Sequence, residues 1–282
     1  FQLKKLNMDR KKISIVSGCY NEEGNLQEFY DRVVKTLSAF PQYSYEIIMA
    51  DNCSTDGSRT ILRQLAAKDS NFKVIFNSNN FGPIRSGYNA FLQASGAAVV
   101  PLSADLQDPP ELIADFIRKW EDNYQVVVAS KHKSEENPLM HFIRRGYYWL
   151  LSKSSDTGNV IHNFTGFGLY DRKFMDALKR YQDPNPYFRG FVGEIGFRRT
   201  ELEFVQSQRK HGRSKHNFFS LYAVAMSGFV THSRLPLRLA SFCGLILAGC
   251  SLSAALGYLI YKLVYWNSFV LGLAPLVIGF FF

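Results

Sequence analysis

Residues 103–111 read Ser-Ala-Asp-Leu-Gln-Asp-Pro-Pro-Glu and follow an apolar run at 97–102. Carboxylate and amide oxygens are hard donors that suit Mg2+ or Mn2+, ions that proteins usually hold together with phosphates. If the apolar run is a strand of an α/β sheet, these oxygens stand at its carboxyl end, where such sheets bind ligands. A strand-to-helix loop with a capping aspartate accounts for the same residues equally well, with a helix starting at Pro109-Pro110. Two other clusters have a similar character: Tyr20, Asn21, Glu22 and Glu23, and the stretch 51–57, which opens with Asp51 and Asn52. A further run, Arg-Lys-His-Gly-Arg-Ser-Lys-His at 209–216, gathers cations around a glycine. It reads either as a solvated basic loop or as a site for phosphate or anionic lipid.

The elements that would position these groups alternate. Segments rich in apolar residues at 13–17, 45–50, 73–76, 97–102 and 125–129 are expected strands, and segments with apolar residues at helical spacing lie between them. This pattern predicts a parallel sheet with helices on both faces. The three acidic clusters each follow a strand, so they are expected to meet at one carboxyl edge. Neither a GxGxxG nor a GxxxxGK[ST] loop follows the first strand, which argues against a dinucleotide dehydrogenase and a P-loop nucleotidase. Beyond residue 130 the pattern loosens into a strand at 162–170, a helix at 171–179, a loop at 187–193 carrying Arg189, and a last strand at 201–207.

The charge of +9 suits a polyanionic partner. Four cysteines, Cys19, Cys53, Cys243 and Cys250, show no metal-ligand spacing and are expected to be reduced thiols. The basic residues before Ile13 are followed by no apolar stretch, so no secretory signal is expected there. Residues 239–261 and 263–282 carry no charge, and only Lys262 separates them. As a helix the first stretch is about 34 Å long, enough for a hydrocarbon core. A hairpin of two spans is expected, with its tip at Trp266-Asn267, and the sequence is expected to stop inside the second. Ahead of it, residues 218–230 have one apolar helical face, which fits a helix in the membrane interface. The basic residues of 209–238 place this side and the preceding domain in the cytosol.

Taken in order, Tyr-Asn-Glu-Glu at 20–23, the stretch 51–57, Ala-Asp-Leu-Gln-Asp-Pro-Pro-Glu at 104–111, and Arg209 with Lys215 in an RxxGxSK arrangement resemble the family 2 inverting glycosyltransferases. Within that family the chain is most similar to the membrane-bound polyprenyl-phosphate glycosyltransferases related to dolichyl-phosphate mannose synthase. The resemblance implies a GT-A (Rossmann-like) domain over residues 1–208, a basic loop and interfacial helix over 209–238, and a transmembrane hairpin over 239–282. It assigns Tyr20, Glu22, Asp51 and Asn52 to the base and ribose of a nucleotide sugar, and Asn21 to the same donor. Ser103, Ala104 and Lys131 also fall on the donor, and Arg209 and Lys215 on its phosphates. Asp105 becomes the central catalytic residue and, with Gln107, the ligand of Mg2+ or Mn2+.

The implied reaction is inverting transfer of one sugar to a polyprenyl phosphate at the cytosolic membrane face of a bacterial inner membrane. UDP-glucose is the first expectation for the donor and GDP-mannose the second. Membrane lipids and a second copy of the chain are expected partners; nucleic acid is not. Charge developing on the leaving diphosphate calls for a cation and fixed basic groups. A phosphate acceptor is already ionised, so a strong general base is not obligatory. Two departures from the family stand out. Ser103 occupies the first position of the usual Asp-x-Asp, and Gly166 falls where relatives often carry an aspartate. They are the support for one alternative, an inactive membrane scaffold; the other, a transferase acting on a lipid or polysaccharide hydroxyl, needs a base. Asp108 and Glu111 are expected to cap and start the next helix.

Overall fold

In the computed structural model the described residues are 10–131, 146, 161, 164–181, 188–207, 226 and 235–265. Strand β1 (Lys12–Cys19) leads to α1 (Leu26–Ser38), β2 (Ser44–Asp51), α2 (Ser58–Lys68), β3 (Phe72–Phe76), α3 (Pro83–Gln93) and β4 (Ala98–Pro101). Next come α4 (Leu112–Glu121), β5 (Val126–Lys131), β6 (Phe164–Asp171), α5 (Arg172–Arg180), α6 (Phe188–Glu194), β7 (Arg199–Phe204) and α7 (Leu235–Val264).

The strands form one sheet in the order β3-β2-β1-β4-β6-β5-β7. β1 pairs in parallel with β2 on one side and with β4 on the other. The chain therefore reverses its direction of winding at β1, and the crevice above β1 and β4 is the switch point where such sheets take ligands. The five strands up to residue 131 run in one direction, as the alternation implies. Strand β6, however, enters between β4 and β5 antiparallel to both, while β5 and β7 are parallel, so the whole sheet is mixed. The beginning of β6 consequently shares an edge with the ends of the other strands.

Central strands buried on both faces must be apolar on both. Ile13, Ile15, Ile47, Met49, Val127 and Ala129 face a core closed by α1, α2 and α4. Val16, Ile48, Ala50, Val126 and Val128 face a second core closed by α3, α5 and α6. The aromatic ring of Tyr170 lies in this second core, 5.6 Å from Phe91 and 4.9 Å from Phe174 between centroids.

Three local expectations change. The helix after the acidic loop begins at Leu112 instead of at Pro109-Pro110, because residues 109–111 form turn bonds through the Pro109 and Pro110 carbonyls. The expected loop at 187–193 contains the helix α6. The last strand is Arg199–Phe204, shifted toward the amino end of 201–207.

Helix α7 has 30 residues, and its stretch Leu237–Val264 is long and apolar enough to cross a membrane, with none of it buried. The hairpin's tip and second segment, the interfacial helix at 218–230 and the basic run at 209–216 lie outside the described residues.

Candidate active site

The loops after β1 and β2 are locked together. The Asn21 backbone N–H donates to Ser54 Oγ at 2.9 Å, and the Thr55 N–H donates to Asn21 Oδ1 at 2.8 Å. Glu22 offers its N–H to Ser58 Oγ at 2.9 Å and accepts the Asn25 amide at 2.6 Å. Asp51, fully buried, pairs with Arg59 Nε at 2.6 Å and accepts the Ser54 N–H at 3.2 Å. Asn52 is buried as well; its amide donates to Asn80 Oδ1 at 2.7 Å and its carbonyl accepts the Phe81 N–H at 2.9 Å. Tyr20 is half-buried beside them. The structure thus brings Tyr20, Asn21, Glu22, Asp51 and Asn52 together on one rigid platform. Asn21, Glu22, Asp51 and Asn52 each make hydrogen bonds that hold the platform together.

The third loop sits on β4, next to β1. Asp105 is buried, and its Oδ1 accepts the Ser103 hydroxyl at 2.7 Å and the Gln107 N–H at 3.1 Å. Ser103 is therefore a clamp on the carboxylate: its hydroxyl is spent on Asp105. Ala104 is buried and Gln107 half-buried. Lys131 ends β5, opposite Phe204 of β7. The Ser207 N–H donates to the Gln107 carbonyl at 3.2 Å, which ties the chain shortly before Arg209 to this loop. Arg209 and Lys215 themselves lie outside the described residues.

Asp108 and Glu111 do not cap α4. Glu111 stands at its N-cap without a side-chain cap bond and instead takes a two-pronged ion pair from Arg32 of α1, at 2.9 and 2.7 Å. Asp108 is buried, and its Oδ1 has no hydrogen-bond partner among the described residues. Burial, helped by the negative charge of Asp105, pushes its carboxyl up to about 6 against the pull of Lys131 and Arg189. Two carboxylates held close in a low-dielectric loop create a demand for positive charge.

A signal that residue types alone do not carry is the backbone of these loops. Among the described residues four non-glycines have left-handed φ, and three of them, Asn21 (56°), Cys53 (65°) and Leu106 (59°), fall one in each loop. Such conformations cost about 1–3 kcal/mol apiece and gather at functional sites. Leu106 is the least suited to it, yet its side chain is buried in the first core and anchors the loop between Asp105 and Gln107.

All four cysteines are free thiols, and burial pushes Cys19 up to about 12. Cys19 is thus a packed side chain at the end of β1 and no nucleophile.

A parallel-sheet switch point, three polar loops above it and a clamped aspartate define an α/β enzyme of the GT-A kind. The sequence profile of glycosyl transferase family 2 matches residues 14–179, and the chain belongs to that family. It is 35% identical over 270 residues to the uncharacterized glycosyltransferase YkcC of Bacillus subtilis (strain 168), covering 94% of this chain and 81% of that one. It is 30% identical over 272 residues to the bactoprenol glucosyl transferase of Shigella phage SfV, covering 96% and 88%. The fold is shared with the mannosyltransferase PcManGT from Pyrobaculum calidifontis, solved with GDP-Man and Mn2+ (TM-score 0.51, 17% identity, 92% of this chain and 81% of that one). It is shared too with the glucosyl-3-phosphoglycerate synthase of Mycobacterium tuberculosis, solved with Mn2+, UDP and phosphoglyceric acid (TM-score 0.52, 17% identity, 82% and 81%).

Proposed function

We propose that the chain transfers one glucose from UDP-glucose to a polyprenyl phosphate at the cytosolic membrane face, with inversion at the anomeric carbon. The observation that carries this reading is the clamped Asp105 at the switch point, on a chain that also holds a helix long enough to span a bilayer. Its similarity over nearly its whole length to a bactoprenol glucosyl transferase supports the choice of sugar and lipid.

The interlocked loops after β1 and β2 present Tyr20, Asn21, Glu22, Asp51 and Asn52 as the cradle for base and ribose. Asp105 and the Gln107 side chain would hold a divalent cation. The oxygen donors fit Mg2+ or Mn2+, and the neighbouring Asp108, whose Oδ1 has no hydrogen-bond partner among the described residues, supports a demand for positive charge in the loop. When bound, such an ion neutralises charge on the departing diphosphate. Ser103 fixes the carboxylate so that no reorganisation is needed as that charge appears. Arg209 and Lys215, following the segment that Ser207 ties to Gln107, would reach the diphosphate as well.

Gly166 offers no side chain at the start of β6, where a base for a sugar hydroxyl would be needed. An ionised phosphate oxygen attacks without one, and in-line attack opposite the diphosphate inverts the configuration. Helix α7 would be the first span of a hairpin that keeps the site at the lipid surface, on the 1–208 domain's cytosolic side.

The test is transfer by purified protein in detergent, with Mn2+ or Mg2+, polyprenyl phosphate and labelled nucleotide sugars offered separately. UDP-glucose is expected to yield one glucosyl phospholipid of inverted configuration. No glycolipid from any donor would end this reading.

A further inference from the structure

Arg189 stands in a stretch that the sequence pattern reads as an irregular loop, yet α6 makes it part of a rigid element. The helix is held from below. Phe188 packs edge-on against Phe91 and Tyr170 at 5.2 and 5.0 Å, and Phe191 against Phe174 and Tyr181 at 5.6 and 5.0 Å. The Phe188 ring also lies beside Gly166, where an added Cβ would sit 3.8 Å from it. Because β6 is antiparallel, Gly166 is at the same sheet edge as the loops after β4 and β5. Arg189, the next residue along, is exposed at this edge and forms no ion pair among the described residues. The charge of Arg189 bears on Asp108 of the loop after β4, which is more than nine-tenths buried and has a carboxylate oxygen with no hydrogen-bond partner among the described residues.

We infer that Arg189 binds the phosphate of the lipid acceptor, and that Asp108 is the positioning residue whose buried carboxylate draws the guanidinium toward the site. The inference rests on the phosphate-acceptor reading above. Sheet order separates this cation from the donor. The base and ribose platform lies over β1 and β2, and the Asp105 loop over β4. Arg189 follows Phe188, which packs on Tyr170 of β6, the strand next beyond β4. A line from β2 through β4 to β6 runs from nucleotide to leaving diphosphate to attacking group, so the far end is the acceptor's. Arginine suits the task, since its planar fork takes two phosphate oxygens at once. The missing side chain at Gly166 leaves room for a phosphate, where a carboxylate would repel one.

The test uses the full chain in detergent micelles and reads binding separately from turnover. Farnesyl phosphate and farnesol are the probes, and their affinities are compared for the native protein, Arg189→Ala, Arg189→Lys and Asp108→Asn. The native protein is expected to prefer the phosphate to the alcohol. Arg189→Ala should lose about tenfold to hundredfold in phosphate affinity, at unchanged farnesol and UDP-glucose binding. Arg189→Lys should recover part of it, and in binding measured without added metal Asp108→Asn should weaken farnesyl phosphate at unchanged farnesol affinity. Arg189 is exposed, so its replacement is expected to leave the melting temperature unaltered. If the native protein transfers glucose and Arg189→Ala binds the phosphate as tightly as it does, the inference is wrong and the function stands. If the phosphate binds through Arg189 but no sugar is transferred, the inference stands and the function falls. If the native protein does not bind the phosphate, both are wrong.

Discussion

Removing the Ser103 hydroxyl is the most direct probe of how the site is set. That hydroxyl gives Asp105 Oδ1 a 2.7 Å hydrogen bond, and the Gln107 N–H gives the same oxygen a second at 3.1 Å. A hydrogen bond to an ionised acceptor contributes about 1.5–3 kcal/mol, and at 1.4 kcal/mol per decade that corresponds to roughly tenfold to hundredfold. The same range is typical for losing a group that orients a metal ligand. Ser103→Ala is therefore expected to weaken Mn2+ binding about tenfold to hundredfold, measured by titration calorimetry in the presence of UDP. Its kcat at saturating Mn2+ should fall as well, because the carboxylate is no longer fixed as charge develops on the diphosphate. Ser103→Asp places a second carboxylate against Asp105. It should lower the melting temperature without metal and enlarge the rise that Mn2+ produces. Should Ser103→Ala leave the Mn2+ midpoint unchanged while Asp105→Asn abolishes binding, the clamp has no role. The left-handed Leu106 and the Gln107 N–H would then orient the carboxylate alone.

Chelation with EDTA is expected to abolish glucosyl transfer, and Mn2+ or Mg2+ should restore it; full activity in excess chelator would exclude the assignment of Asp105 and Gln107. Glu46, at the opposite end of β2, is a stability element. Burial opposes its charge, but bonds from Lys73, Ser14 and Ser95 outweigh it and hold its carboxyl at about 2 instead of 4.5. A depressed carboxylate stabilises the fold above the unfolded value and loses that contribution as pH falls through the folded one. Glu46→Gln should thus melt lower than native at neutral pH, with the gap closing between pH 4.5 and about 2 in thermal unfolding scans. Gly168→Ala would drive a methyl group into the Val127 carbonyl across the β5–β6 ladder. Backbone there can yield only by breaking the pairing, so loss of soluble folded protein is expected, seen as loss of a cooperative melt.

Much of the fold was legible because strands buried on both faces leave a continuous apolar run, as at 47–50, while α1 leaves Leu26, Phe29 and Val33 at helical spacing. These are local patterns set by local geometry. The direction of β6 was not legible, since nothing in residues 164–171 distinguishes a parallel strand from an antiparallel one. Helix α6 was missed because its glycines and the neighbouring prolines read as loop, and its helicity comes from Phe188 and Phe191 finding Tyr170 and Phe174 below. Likewise the pairing of Glu111 with Arg32 of α1 outcompetes a capping role that sequence spacing favoured.

The same division runs through the site. Residue types and their order along the chain determined that three polar loops end on one sheet edge, with oxygen donors suited to a divalent ion and phosphates. They also determined an apolar segment long enough for a span. Only the tertiary structure decided what each group does with its bonds. Ser103 turns inward to hold Asp105, Asp51 is taken up by Arg59, Asp108 is buried with an oxygen unsatisfied among the described residues, and Arg189 is carried by a helix. Sequence fixes which donors and acceptors exist. Which of them meet depends on strand order and on backbone conformations such as Leu106 at φ 59°, and those are settled by packing far from the loop in sequence.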